Sequence, residues 1–266
     1  METILANNLS PTARIGDTNI EQKGKTNFVK DTKKMTRYTL ADSADSVINA
    51  AMDYHIEIIT RDDKHRVLKF LRRFFFRDEP LNQNIALIPE GENSTCLELE
   101  DYCSKSSLEN NLSLMAVSST GAIIGVLLNG KLEPCEEDEP DYIENCENLK
   151  FRKILRFLHY IDKRVNVGKF QDQNILEIRI ISVDTNWRGK GIAKALIEKT
   201  IEIAKEHNFQ AIRVDCTSMF SGKLCERFGF ETIDQVKYSD YVDENGKPIF
   251  TPAPPHMAAN SYIKRL

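Results

Sequence analysis

Apolar positions along the chain follow two periods, and their order sets out the fold. The run Ile175-Leu176-Glu177-Ile178-Arg179-Ile180-Ile181-Ser182-Val183 is rich in β-branched residues and predicts a buried strand. After a short polar link, Ala193, Leu196, Ile197, Ile201 and Ala204 recur at helical spacing and predict an amphipathic helix. Upstream, the pattern predicts a strand over 55–59, a helix over 62–76 with Val67, Phe70, Leu71 and Phe74 inward, and a second helix over 97–107. Pro80 disfavours helix at Glu79, so the first helix stops within 77–81. Strands over 112–118 and 122–131 form a hairpin around Thr120-Gly121, and a basic amphipathic helix over 149–165 carries Ile154, Leu155, Leu158 and Ile161. A strand over 211–216 runs into a short helix ending at Gly229-Phe230, and two further strands, 231–238 and 260–264, flank a proline-rich loop over 248–256. The order β-α-α-β-β-α-β-α-β-α-β-β predicts an α/β (α+β) domain over 54–266, with a mixed central sheet flanked by helices. Residues 1–53 are polar and without sustained period, apart from some helical character over 40–52, and are expected to form a disordered or weakly ordered leader.

Composition narrows the class without changing that picture. The chain has 266 residues, 41% hydrophobic and 29% charged, with a net charge of −4. A general affinity for nucleic acid or membrane is not expected from that balance. No apolar run approaches the roughly 20 residues of a membrane span. The acidic stretch 136–139 reads as a solvated loop. The six cysteines, at 96, 103, 135, 146, 216 and 225, contain no CxxC pair, so neither a metal site nor a disulfide framework is expected. A reduced, cytoplasmic protein is the default expectation, and a monomer the simplest assembly.

The joint between the 175–183 strand and the following helix carries the chemistry. Arg188-Gly189-Lys190-Gly191-Ile192-Ala193 places two glycines where the backbone turns tightly, just ahead of a helix N-terminus. Unbonded N–H groups there, with the helix dipole, suit a pyrophosphate. A P-loop is ruled out at this joint, because Gly191 is followed by Ile192 and neither Ser nor Thr follows Gly189-Lys190. The dinucleotide fingerprint fits at Gly189 and Gly191 but meets Lys194 at its third position. Arg-x-x-Gly-x-Ala, matched by Arg188, Gly191 and Ala193, resembles the signature loop of the GCN5-related N-acetyltransferases (GNAT), which cradles the pyrophosphate of acetyl-CoA. The downstream Ser218-Met219-Phe220-Ser221-Gly222-Lys223-Leu224-Cys225-Glu226-Arg227-Phe228-Gly229-Phe230 resembles that family's second motif. The resemblance implies the GNAT acyl-CoA N-acyltransferase fold, acetyl-CoA as co-substrate and no metal.

Within the family, Phe74-Phe75-Phe76-Arg77-Asp78-Glu79-Pro80-Leu81-Asn82 resembles a segment of the insect arylalkylamine N-acetyltransferases, as do Gly246–Phe250 with Pro255-His256 and Cys216-Thr217-Ser218. That branch acetylates dopamine, serotonin and related small amines. The resemblance places the catalytic glutamate at Glu79, with Asp78 as support, and candidate serines at Ser218 and Ser221, beside Thr217. Ser218 and Ser221 are equally well read as helix caps. Many relatives carry a tyrosine where Cys225 stands. By the same resemblance the co-substrate is held by Ile181, Ser182 and Val183, whose backbone also polarises the thioester, and by Arg188, Gly189, Lys190, Gly191, Ile192 and Ala193. The amine is protonated at neutral pH, with a pKa comparable to the roughly 10.4 of lysine, so a general base is required. A polyamine or protein acetyltransferase, and a non-catalytic acyl-CoA-binding module, are the alternative readings.

Overall fold

The computed structural model describes residues 36–38, 53–91, 94–105, 107–108, 110–135, 138–166 and 173–266. Among them, eight strands form one sheet: β1 Thr36–Tyr38, β2 Tyr54–Ile58, β3 Leu114–Ser118, β4 Ile123–Lys131, β5 Ile175–Val183, β6 Ala211–Cys216, β7 Glu231–Lys237 and β8 Ala258–Arg265. Their spatial order is β1-β2-β3-β4-β5-β6-β8-β7. Every pair is antiparallel except β5–β6, which is parallel. The helices are α1 Lys64–Phe74, α2 Pro80–Asn84, α3 Leu97–Ser104, α4 Asp141–Glu144, α5 Leu149–Asn166, α6 Ile192–Glu206 and α7 Met219–Arg227. The α/β mixed sheet expected from the sequence is present.

Alternation along β5 divides the core into two layers. Ile180 packs with α1, α3 and α5 on one face, through Phe70, Leu71, Leu99, Ile154 and Leu158. Its neighbours Ile178, Ile181 and Val183 face the other layer, with Ala193, Leu196 and Ile197 of α6 and Leu224 of α7. Each such side chain contributes about 1.5–3 kcal/mol by leaving water, so the two layers fix both faces of β5. Gly125 on β4 lets α6 approach closely, because a Cβ there would meet Ile192 at 2.8 Å and Leu196 at 3.2 Å.

The feature that shapes the site is a bulge. Leu128 pairs with Ile180 and Asn129 with Ile178, so Arg179 is the extra residue in β5. Pairing with β6 ends at the same point, with Ile178 opposite Val214. Beyond it the two parallel strands separate, and β6 carries on only against β8. The β6 side of β5 from Ile181 to Val183 therefore faces a gap. Gly130 makes room for the displaced Arg179, since a side chain there would run into its guanidinium.

Several elements differ from the sequence expectation. The helix expected over 62–76 is a 3-10 turn at Arg61–Asp63 followed by α1, and a separate helix, α2, begins at Pro80. Glu79 thus opens a helix rather than ending one: its backbone is extended, and Pro80 occupies the first turn, where its missing N–H costs nothing. The short α4 was not expected; its sequence has too few residues to show a period. β1 falls inside the expected leader and adds an edge strand to β2. The rest of that leader up to residue 52, including 40–52, lies outside the described residues. Of the acidic stretch, Glu136 and Glu137 also lie outside them, while Glu139 pairs with Arg156 of α5 at 2.9 Å.

Candidate active site

The glycine loop is built as the pattern required. Gly189 and Gly191 have φ of +75° and +77°, the left-handed region that glycine enters without strain. Gly191 caps α6, and the first N–H groups of that helix follow it. A Cβ at either glycine would meet nothing within 4 Å, so backbone conformation, not crowding, demands glycine. In front of the loop lies a cavity of about 570 Å³, lined by Val183, Trp187, Arg188, Gly189, Gly191, Ile192, Ala193 and Lys194, with Leu224, Arg227 and Phe228 of the α7 region opposite. The open strand edge, the glycine turn and the helix N-terminus converge there. Such a cavity fits a long ligand with an anionic group.

Arg188 is engaged elsewhere. Its Nε donates to the Val183 carbonyl at 3.1 Å and its Nη2 to Asp78 at 2.7 Å. Through these two bonds the guanidinium ties the glycine loop to the segment bearing Glu79, while Arg188 still lines the cavity. Lys190 lies over the Trp187 ring at 4.8 Å, and the cavity wall carries Arg227 and Lys194, the latter paired with Glu198 at 3.7 Å. Of the strand residues assigned to the co-substrate, Val183 lines the cavity, whereas the Ser182 hydroxyl donates to the Phe74 carbonyl on the opposite face, and the Ile181 side chain belongs to the α6 layer. Any role for Ile181 and Ser182 there rests on backbone groups.

Glu79 sits on the other side of β5, fully buried. Two segments distant in sequence hold its carboxylate: Oε2 accepts from the Asn82 backbone N–H at 2.6 Å, and Oε1 from the Thr217 hydroxyl at 2.8 Å. Burial pushes its pKa above the ordinary carboxylate value, opposed by the N–H groups of Asn82 and Leu81 and by Thr217. Tyr238, itself buried, donates its phenol to the Thr217 carbonyl at 2.7 Å. Phe75 and Phe76 pack edge to face beside this group, and Phe157 contacts both Tyr238 and Phe250.

The two candidate serines do local work at the start of α7. Ser218 is the N-cap, its hydroxyl accepting from the Phe220 N–H at 3.2 Å. The Ser221 hydroxyl donates to the Ser218 carbonyl at 2.8 Å. The hydroxyl placed on Glu79 is that of Thr217. It stands two positions after Asp215 on β6, and strand alternation extended through Cys216 points it to the α1–α5 face. Cys225 faces Cys216 in the α6–α7 layer, with the sulfurs 3.6 Å apart. His256 tethers the proline loop, its Nδ1 accepting from the Met219 N–H at 3.2 Å. Sequence reasoning also passed over Asn82 and Tyr238. Asn82 could have been found from Pro80: a proline at the first helical position makes Glu79 the cap and Asn82 the donor it holds. Tyr238 carried no local signal. All six cysteines are free, no group of three or more His, Cys, Asp or Glu side chains among the described residues is placed to hold a metal, and no described helix is long and apolar enough to cross a membrane.

Comparison with known proteins agrees with this architecture. Residues 86–230 match the acetyltransferase (GNAT) family. Arylalkylamine N-acetyltransferase 2 from Aedes aegypti superposes with a TM-score of 0.73 and 36% identity, over 80% of this chain and 98% of that one. A mosquito arylalkylamine N-acetyltransferase like 5b superposes with a TM-score of 0.70 and 26% identity, over 80% of this chain and all of that one. N-acetylaspartate synthetase from Danio rerio is 41% identical over 74 residues, which is 27% of this chain and about a quarter (26%) of that protein's length. With its family match over more than half its length and a 36% identical relative covered almost end to end, the chain belongs to the GNAT family of acetyltransferases.

Proposed function

We propose that the chain transfers the acetyl group of acetyl-CoA to the primary amine of an arylalkylamine, of the dopamine, serotonin, tyramine and octopamine class, with Glu79 as general base. The observation that carries this reading is the sealed carboxylate of Glu79, held by Asn82 and Thr217 in aromatic surroundings. Its raised pKa brings it toward the range in which a base accepts a proton at neutral pH. Acetyl-CoA would lie along the gap beyond Ile178, its pyrophosphate on the amides of Gly189 to Ala193. The ammonium loses a proton to Glu79, the neutral amine attacks the thioester carbonyl, and the thiolate of CoA leaves. Backbone N–H groups at the open edge of β5 would polarise the carbonyl. Thr217 keeps the Glu79 oxygens oriented, and Ser218 and Ser221 hold the turn into α7 from which Thr217 projects.

An aspartate acceptor is the second reading, favoured by the sequence likeness to N-acetylaspartate synthetase. It would need cations for two carboxylates, whereas Arg188, which reaches the Glu79 segment, is already paired with Asp78. The test is CoA-thiol release from acetyl-CoA with a panel of arylalkylamines, spermidine, a lysine peptide and L-aspartate. Turnover confined to arylalkylamines is expected. A higher kcat/KM for aspartate, spermidine or the peptide would replace the proposed acceptor. Acetyl-CoA binding without turnover of any amine would make the chain an acyl-CoA-binding module.

A further inference from the structure

The acceptor side of the site contains a second group that the base assignment leaves unused. Asn82 is buried, and its two ends have different surroundings. Its Nδ2 donates to the Phe76 carbonyl at 3.2 Å. That contact fixes the amide, because the flipped form would set two carbonyl oxygens against each other. Its Oδ1, buried as well, accepts from no protein donor. Leaving a buried carbonyl without a donor costs about 1–3 kcal/mol, so an orphan beside a candidate catalytic group points to a ligand.

The orphan lies close to Glu79. The Asn82 backbone N–H is 2.6 Å from Glu79 Oε2, and bond lengths keep Oδ1 within about 7 Å of that oxygen. The Glu79 carboxylate accepts from the Asn82 N–H and the Thr217 hydroxyl, with the Leu81 N–H also directed at it, which leaves part of its acceptor capacity unused. Two acceptors with spare capacity, close in the chain to the aromatic rings of Phe75 and Phe76, call for a compact group rich in N–H. A primary ammonium has three donors and one positive charge. An acceptor carboxylate or a thioester would find neither donor nor cation in this pair.

We infer that Asn82 Oδ1 and Glu79 together receive the ammonium of the acceptor, with Asn82 as a substrate-binding residue that holds the nitrogen while Glu79 takes its proton. This rests on the amine-acetylation reading. The proton moves from nitrogen to the Glu79 carboxylate; Asn82 forms no covalent bond and gains no proton. Once the nitrogen is neutral, two N–H groups remain, and one can stay on Asn82 while the lone pair is free to attack.

The experiment is calorimetric titration of the CoA-loaded protein with 2-phenylethylamine and, separately, with 2-phenylethanol, in wild type, Asn82→Leu and Asn82→Ser. The alcohol has the same ring and a single donor, which Glu79 can satisfy. Loss of Oδ1 should weaken the amine about tenfold and leave the alcohol within about twofold. Equal weakening of both ligands would make Asn82 a packing residue only, and unchanged amine affinity in either folded variant would also overturn the inference. The serine variant is small enough to fold should leucine not be accommodated. Turnover of 2-phenylethylamine by Glu79→Gln separates the two levels. If that variant is inactive while amine affinity ignores Asn82, only the present inference fails. If Glu79→Gln turns over normally, the base assignment and this inference fall together.

Discussion

The proposed cofactor side and the proposed acceptor side of β5 are made of different materials. The cavity before α6 is built from backbone: two left-handed glycines, a helix N-terminus and an open strand edge. The centre around Glu79 is a buried side chain held by groups gathered from α2, the end of β6 and the region after β7. The first is open and the second sealed. Backbone sites tolerate changes of side chain but not of φ, while side-chain sites fail when one atom is removed. Asp78 and Arg188 join the two regions through an ion pair of 2.7 Å.

The largest expected effect tests the acceptor side. Glu79→Gln keeps shape and burial but removes the proposed base, and kcat should fall by about 10²–10⁴ at neutral pH. Raising the pH should recover part of the loss, because free amine accumulates. The KM for acetyl-CoA should change little, since the cavity is backbone-built. Steady-state kinetics from pH 6 to 10 check this, and an unchanged kcat at every pH would remove Glu79 from the chemistry.

Next in size is the cofactor side. Gly191→Val forces a β-branched residue into φ of +77°, a conformation costing about 1–3 kcal/mol. Acetyl-CoA affinity should fall about tenfold or more. Arg188→Lys should cost less there, because the guanidinium is turned toward Val183 and Asp78. An equal loss in both variants, measured by acetyl-CoA titration, would show that Arg188 reaches the phosphates after all.

This contrast also explains what could be read before the structure. The geometry of the glycine loop was legible because glycine positions and a change of period are local signals, here within 175–204. The Glu79 segment was legible only as a motif, and its geometry was missed because a five-residue helix has no period. Thr217 was half legible: it stood beside the serines, but strand alternation through Cys216 was needed to show that it, not Ser218, turns toward Glu79. Tyr238 and the β5 bulge were illegible. The first acts through a contact 21 residues away along the chain. The second depends on pairing register, which the sequence of one strand does not contain.

A smaller effect sharpens the role of Thr217. Its hydroxyl donates to the charged form of Glu79 and so holds the pKa down against burial. Thr217→Val should move the acidic limb of the kcat/KM profile to higher pH, while Thr217→Ser should leave it in place. A limb that does not move in the valine variant would mean that Asn82 and Leu81 alone set the titration.

The smallest effect concerns a second buried carboxylate lower on the same face. Glu177 is fully buried at the bulge, with Arg179 Nε 3.1 Å from its Oε2 and no partner on Oε1. Burial pushes its pKa up from 4.5 to about 8, against the pull of Arg179 and Arg213. The folded value lies above the unfolded one, so folding favours the protonated acid. Its contribution to stability is complete below about 4.5 and is lost as pH rises through about 8. Glu177→Gln mimics the protonated form permanently. The Tm of the variant relative to wild type should therefore rise with pH across that window, with kcat nearly unchanged because Glu177 touches neither Glu79 nor the cavity. Thermal melts between pH 5 and 9 measure the difference. A difference that is flat with pH would mean that Arg179 keeps Glu177 ionised throughout, and the separation of β5 from β6 would then rest on a standing ion pair. A kcat that falls along with the titration would instead tie the bulge to the chemistry of the acceptor side.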